Sequence, residues 1–222
     1  MIVYPHVMQL IFEQIRAGGD RNFGYLLADR DAGRGVLIDP SYSPEQFVER
    51  ARAQHLAITH VVNTHGHPDH TNGNEVAVSL TGAAIAAHPA LRPDTPLLDG
   101  GQLAVGAWML EIMHVPGHAG DHVTLYEPVH QILITGDLLF VGKVGGTRTE
   151  QDATVEWDSL QKVLSAVPDT ASVWPGHDYG IRPSSTIAME RASNPFLRCR
   201  TLEDFLKLKT EWPRVKADLG LK

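Results

Sequence analysis

The stretch VVNTHGHPDH, residues 61–70, places His65, His67, Asp69 and His70 within six positions directly after an apolar run. The preceding segment AITHVVN (57–63) is too short and too β-branched for a helix and reads as a buried strand. A loop leaving a strand presents its side chains at one rim of a sheet. Packing gains nothing from three imidazoles and a carboxylate there, whereas their nitrogens and oxygens together suit zinc, iron or manganese. An irregular loop of this spacing can turn side chains toward two neighbouring points. His65 and His67 can then serve one ion while Asp69 and His70 serve another.

Outward from that loop, three more strand ends carry matching chemistry: His118 in PGHAGDH (116–122), Asp137 in LITGDLL (133–139) and His177 in WPGHDYG (174–180). Asp137 has two oxygens with which to bridge two ions, whereas an imidazole offers one donor at a time. His118 can complete the first site and His177 the second. Asp39, in LIDP, is either a strand-end turn residue or the acceptor of a ligand histidine's second ring N–H. His122 is left open between structural and functional roles. His6, His55, His60, His88, His114 and His130 are isolated, without paired ligand spacing, and read as surface or capping residues.

The rest of the chain alternates strands and helices. FGYLLAD (23–29) and GVLIDP (35–40) flank the turn-forming RDAGR and predict a hairpin. Ser43, Pro44 and Glu45 open a helix with Phe47, Val48 and Ala51 at helical spacing, and a second helix is expected near 74–80. AAIAAH, WMLEIMHV, HVTLYE and QILITGD read as strands, and a helix carrying Val155, Leu160, Val163 and Leu164 precedes the strand ASVW. From Ser184 the pattern turns helical. This interleaving predicts a layered α/β domain over residues 1–222, with a C-terminal helical extension over 183–222. VLIDP and ILITGD both read strand-then-Asp and hint at a two-part duplicated architecture.

Composition bounds the function. The chain has 222 residues, 43% of them hydrophobic, enough for a substantial core. A formal charge of −7 supplies no basic field for nucleic acid, and the expected partner is a small-molecule substrate. Cys199 is the single cysteine, which rules out an intrachain disulfide and disfavours a thiolate metal site. No run approaches a membrane span and the N-terminus lacks a basic leader pattern, so a soluble, cytoplasmic protein is expected. There is no GxxxxGK[ST] and no GxSxG. GKVGGT (142–147) reads either as a substrate-facing loop or as an ordinary glycine-rich turn.

THGHPDH, the His118 of PGH, the Asp137 of TGD and the His177 of PGHDY together resemble the metallo-β-lactamase-fold superfamily, in its order, over residues 64–179. The resemblance implies a four-layer αββα sandwich with the metal site at one edge between two sheets. It implies two divalent ions, Zn2+ first, with Fe or Mn as alternatives. His65, His67 and His118 would hold one, Asp69, His70 and His177 the other, and Asp137 would bridge. Catalysis would fall to His65, His67, Asp69 and Asp137. Within the superfamily the chain is similar to the glyoxalase II and persulfide dioxygenase branch: PGHAGDH resembles GHTxGH, departing at Ala119 and Asp121. The implied activity is metal-dependent hydrolysis of a thioester or related acyl compound by a metal-bound hydroxide. The alternative is a mononuclear iron persulfide dioxygenase using His65, His118 and Asp137. Lys143 and Tyr179 fall near the family's substrate-carrier contacts.

Overall fold

The computed structural model describes residues 9–218, so His6 lies outside the described residues. The chain begins with β1 (Leu10–Gly18), β2 (Asn22–Asp29) and β3 (Arg34–Ile38), paired antiparallel in succession. The β2–β3 pair is the hairpin that RDAGR predicts. β1 was not expected, because Glu13 interrupts its inward face of Ile11, Ile15 and Ala17. That carboxylate is answered from the next helix, α1 (Pro44–Ala53), by Arg50 at 2.9 Å and by Gln54 just beyond it at 2.8 Å. In α1, Pro44 stands in the first turn, and Phe47, Val48 and Ala51 are buried as their spacing predicts.

The crossover through α1 returns the chain as β4 (Ala57–Val62), parallel to β3. Two helices, α2 (Pro68–Thr71) and α3 (Asn74–Thr81), lead to β5 (Ala84–Ala87) and the short β6 (Thr95–Pro96). The first sheet has the order β1-β2-β3-β4-β5-β6.

The second sheet starts with β7 (Gln102–Val105), β8 (Trp108–His114), β9 (Val123–Glu127) and β10 (Ile132–Gly136), again antiparallel. A two-stranded ribbon, β11 (Leu139–Phe140) with β12 (Lys143–Val144), precedes the long α4 (Glu150–Ala166), which opens on a reciprocal Thr149–Asp152 capping box. β13 (Ser172–Pro175) then pairs parallel to β10, and β14 (Ser185–Thr186) is added at its edge. The order is β14-β13-β10-β9-β8-β7. The chain closes with α5 (Ile187–Ser193) and α6 (Leu202–Asp218).

Three buried clusters reveal the layering. Ile15, Leu26, Leu37, Phe47 and Val61 join α1 and α3 to the outer face of the first sheet. Tyr25, Val36, Ile38, Leu110, Leu125 and Ile134 fill the space between the sheets. Leu133, Val173, Leu160, Val163, Phe196 and Phe205 join the second sheet to α4 and the C-terminal helices. Three interfaces make four layers, the expected αββα sandwich. Among the described residues no helix is long and apolar enough to cross a membrane.

The C-terminal segment differs from its expected form. It starts with a strand at Ser185–Thr186, and Ile187, Phe196 and Phe205 are fully or almost fully buried in the core shared with α4. A two-residue strand is too short to show alternation, and apolar residues spread over irregular turns show no helical period. The duplication hint has a structural counterpart. In each sheet an antiparallel pair, β2–β3 or β9–β10, is followed by a helix-containing connection to a parallel neighbour, β4 or β13. VLIDP and ILITGD are the equivalent strands, so Asp39 and Asp137 leave them at the same place.

Candidate metal centre

His65 follows β4 directly, and the local sequence decides where its neighbours point. His67 is extended at φ −65°, ψ 143°, the region that a following proline imposes. Pro68 then starts α2, and that turn carries Asp69 and His70 to a second side of the site, with the His70 ring still 4.2 Å from that of His65. Neighbouring side chains hold the loop in place. Asn63 Nδ2 donates to the His70 carbonyl at 3.1 Å, Asn22 Nδ2 donates to Asp69 Oδ2 at 3.0 Å, and the Ser41 hydroxyl donates to the Asp69 carbonyl.

The second sheet delivers the other three residues to the same point. His118 follows β8, Asp137 follows β10 and His177 follows β13. His67 Nδ1 lies 2.9 Å from His65 Nε2 and 3.0 Å from His118 Nε2. On the other side, His177 Nε2 is 3.4 Å from Asp69 Oδ2, and His70 Nε2 is 3.6 Å from the same oxygen. Asp137 lies between the groups: Oδ1 faces His70 Nε2 at 3.5 Å, while Oδ2 faces His118 Nε2 at 3.6 Å and His177 Nε2 at 3.2 Å. Gly176 makes room for this, since a Cβ there would sit 2.3 Å from Asp137 Oδ1.

These donors fit a metal. His65, His67 and His118 form one convergent group, Asp69, His70 and His177 a second, and His65, His70 and Asp137 a third that links them. His70 Nε2 and Asp137 Oδ1 are buried without a hydrogen-bond partner, an arrangement that costs free energy unless a cation accepts both. The 2.9 and 3.0 Å separations of His67 Nδ1 from the other two imidazole nitrogens are close to the edge of a tetrahedron around an ion bound at about 2.0–2.1 Å.

The outer ring nitrogens are also engaged. His70 Nδ1 is 2.9 Å from Asp39 Oδ2, His118 Nδ1 donates to the Gly146 carbonyl at 2.7 Å, and His177 Nδ1 donates to the Asp20 carbonyl at 2.9 Å. Such partners fix the tautomer and the orientation of a ligand imidazole. Asp39 is thus the acceptor rather than a simple turn residue, and it also receives the Thr64 amide and hydroxyl. His122, left open by the sequence, accepts the Asp137 amide at Nε2 (2.9 Å) and stacks on His65. It is a buttress behind both donors.

Electrostatics divide the cluster. Burial, followed by the nearby His70, holds His65 well below the ordinary imidazole range, and burial also lowers His118. Burial holds His122 at about 3. His70 is raised despite burial, because Asp39 and Asp137 flank it, and Asp137 raises His177 in the same way. Burial opposes ionisation of Asp137, but His70 and His177 outweigh it and hold the carboxyl well below its usual range. The lowered His65 and His118 therefore favour neutral lone pairs ready to donate. The raised His70 and His177 favour protons that a cation would displace.

The family described as the metallo-beta-lactamase superfamily matches residues 17–94 and 89–177. The chain belongs to that superfamily. This superfamily member is 35% identical over 205 residues to a hydroxyacylglutathione hydrolase from Rhodospirillum rubrum, covering 90% of this chain and 78% of that protein. It is 30% identical over 209 residues to the mitochondrial persulfide dioxygenase ETHE1 of Homo sapiens, covering 92% of this chain and 80% of that one. Its fold superimposes on the crystal structure of ETHE1 from Myxococcus xanthus with a TM-score of 0.84 at 28% identity, covering 91% of each chain.

A cleft of about 390 Å³ opens from His118 and Asp137 and is walled by Phe140, Lys143, Tyr179 and, from α6, Trp212 and Lys216. Both sequence-proposed substrate residues line it. Lys143 Nζ sits 4.0 Å from the centre of the Tyr179 ring, which stacks on His177 while its hydroxyl donates to Asp20 at 2.6 Å. Sequence reading missed Arg21, Trp212 and Lys216, which share an adjoining cleft with Lys143 and Tyr179. No motif marks them, because Arg21 sits in an ordinary turn and the α6 pair looks like any amphipathic helix face.

Proposed function

We propose that this protein is a binuclear metal-dependent hydrolase that cleaves a thioester or related acyl compound with an anionic carrier. The observation that supports it best is the Asp137 carboxylate, set between two groups of three donors with one oxygen toward His70 and the other toward His118 and His177. A single ion would leave one of the two convergent donor groups unanswered. Zn2+ is the first choice on donor type, with Fe or Mn as alternatives. When bound, two divalent ions supply a Lewis acid and lower the pKa of water from 15.7 to about 7. The chain does the rest: Asp39 and the Gly146 and Asp20 carbonyls hold the imidazoles in register, and Phe140 and Trp212 wall the cleft. Arg21, Lys143 and Lys216 favour negative charge on the carrier, in a chain whose net charge is −7.

A second reading, a persulfide dioxygenase using one iron at His65, His118 and Asp137, is favoured by the 0.84 TM-score with the Myxococcus xanthus ETHE1. The test measures thioester hydrolysis and persulfide-driven oxygen uptake in parallel, each under air and anaerobically, together with metal content. The proposal expects two metal equivalents per chain and hydrolysis indifferent to oxygen. Persulfide-dependent oxygen uptake with one iron per chain would replace it.

A further inference from the structure

The glycine-rich loop 142–146 does two things at the site. It places Lys143 in the cleft, and its Gly146 carbonyl accepts from His118 Nδ1. Nothing in its own sequence makes such a segment rigid, since three of its five residues are glycine. Beyond its short ribbon with Leu139–Phe140 and the Gly145 amide donated to the Leu138 carbonyl at 3.2 Å, its polar contacts come from the C-terminal segment. Glu190 on α5 is completely buried and accepts the Gly142 amide at 2.8 Å. Asn194, also completely buried, donates both to the Lys143 carbonyl at 3.2 Å and to Glu190 Oε2 at 3.0 Å. Lys209 on α6 donates to the Gly145 carbonyl at 2.6 Å and pairs with the buried Glu156 of α4.

Glu156 in turn underlies His118 from both sides. A Cβ on Gly117 would meet the Glu156 Cα at 2.5 Å, and a Cβ on Gly145 would meet Glu156 Oε1 at 2.9 Å and His118 Cβ at 3.2 Å. Buried charge is costly unless it is paired and hydrogen-bonded, so two buried carboxylates and a mostly buried ammonium around one short loop demand a purpose. A core that only had to hold α5 and α6 could use apolar side chains there.

We infer that Glu190, Asn194 and the Lys209–Glu156 pair are positioning residues that fix loop 142–146, so that Gly146 orients His118 and Lys143 faces the carrier. This rests on the functional reading above only for the carrier; the metal consequence holds for the hydrolase and dioxygenase readings alike, because both use His118. Losing the outer partner of a ligand imidazole costs about 10- to 100-fold in metal affinity. Loss of the Asn194 contact acts instead on Lys143.

The test uses the full chain and two variants. Lys209→Met/Glu156→Gln removes both charges together and leaves neither buried alone; Asn194→Ala removes the contact to Lys143. Chelator competition on the metal-loaded proteins, with circular dichroism and thermal melts for folding, reads the first. A folded double variant is expected to release the ion held by His118 at about tenfold lower chelator concentration, with any ion on the Asp69–His70 side unchanged. Steady-state kinetics reads the other: Asn194→Ala is expected to raise KM for an anionic thioester several-fold with kcat and metal content retained. Parental metal affinity in the double variant together with a parental KM in Asn194→Ala would overturn the inference. So would a double variant that fails to fold, since the pair would then be structural. A parent that binds metal but hydrolyses no thioester breaks the functional reading and leaves the metal arm decisive.

Discussion

The two sheets build the metal centre in opposite ways. The first contributes His65, His67, Asp69 and His70 from one continuous loop after β4, stiffened by Pro68 and by side chains of its own half such as Asn22, Ser41 and Asn63. The second contributes His118, Asp137 and His177 singly, from three loops that only the β8-β9-β10-β13 arrangement brings together. One half is a prefabricated segment and the other an assembly. Donors of the first kind depend on local geometry, whereas donors of the second depend on the fold staying closed, and Asp137 depends on both because it faces residues from each half.

The largest expected effect follows from that position. Asp137→Ala removes the carboxylate that lies within 4 Å of His70, His118 and His177 and would leave adjacent cations unbalanced. Activity is expected to fall at least about a thousandfold, or roughly 4 kcal/mol, with a greater loss of metal than for any single histidine change. Metal stoichiometry beside turnover checks it, and a variant with full metal and rate would remove Asp137 from the bridging position.

His177→Ala comes next and separates the two donor groups. In a binuclear hydrolase it depletes the Asp69–His70 side of the centre, and the rate falls at least about a hundredfold. In a mononuclear enzyme built on His65, His118 and Asp137 the same change leaves the metal content intact. Titrating metal into the apo variant distinguishes the outcomes: one equivalent lost supports two ions, and no change supports one.

The same contrast explains what could be read from the sequence. The prefabricated loop was legible, because four donors in six positions have no competing packing explanation. His118, Asp137 and His177 were legible as strand-end residues, and the order of their motifs tied them to a family. β1 was hidden because Glu13 breaks its alternation, and its partners Arg50 and Gln54 are distant in sequence. β14 was hidden by its two-residue length. Arg21, Trp212 and Lys216 were invisible for a different reason: they converge only when a turn before β2 and the last helix meet at one cleft. Chemistry concentrated in sequence can be read locally, and chemistry made by tertiary contact cannot.

Asp39→Asn asks how far the self-contained character of the first half extends. Asp39 has a φ of 46°, a left-handed conformation that asparagine adopts with little strain, so the backbone should tolerate the change. The substitution replaces the acceptor 2.9 Å from His70 Nδ1 with an amide and removes a charge that favours an N–H at that nitrogen. Metal affinity at the His70 side is expected to fall about 10- to 100-fold, with the His65–His67–His118 side little changed. A two-step chelator titration checks this, and equal losses in both steps would show that the halves are not independent.

The smallest effect lies in the cleft, where neither half acts alone. Burial first, and then the charges of Lys216 and Arg21, lower the Lys143 ammonium to about 8. The sign follows directly: Lys143 is cationic below that value and neutral above it, so attraction to an anionic carrier is present at pH 7 and fades as pH rises through 8. KM is therefore expected to rise by about fivefold between pH 7 and pH 9, the ratio that roughly 1 kcal/mol of lost charge pairing produces. Lys143→Met should show the high KM already at pH 7 and a flat profile. Lys216→Met sharpens the assignment, since removing that neighbouring charge relieves the repulsion on Lys143 and moves the inflection to higher pH. Profiles of KM against pH for the three proteins, with kcat followed separately, provide the measurement. An inflection near 8 that persists in Lys143→Met would assign the titration to another group and leave the cleft cations without a part in carrier recognition.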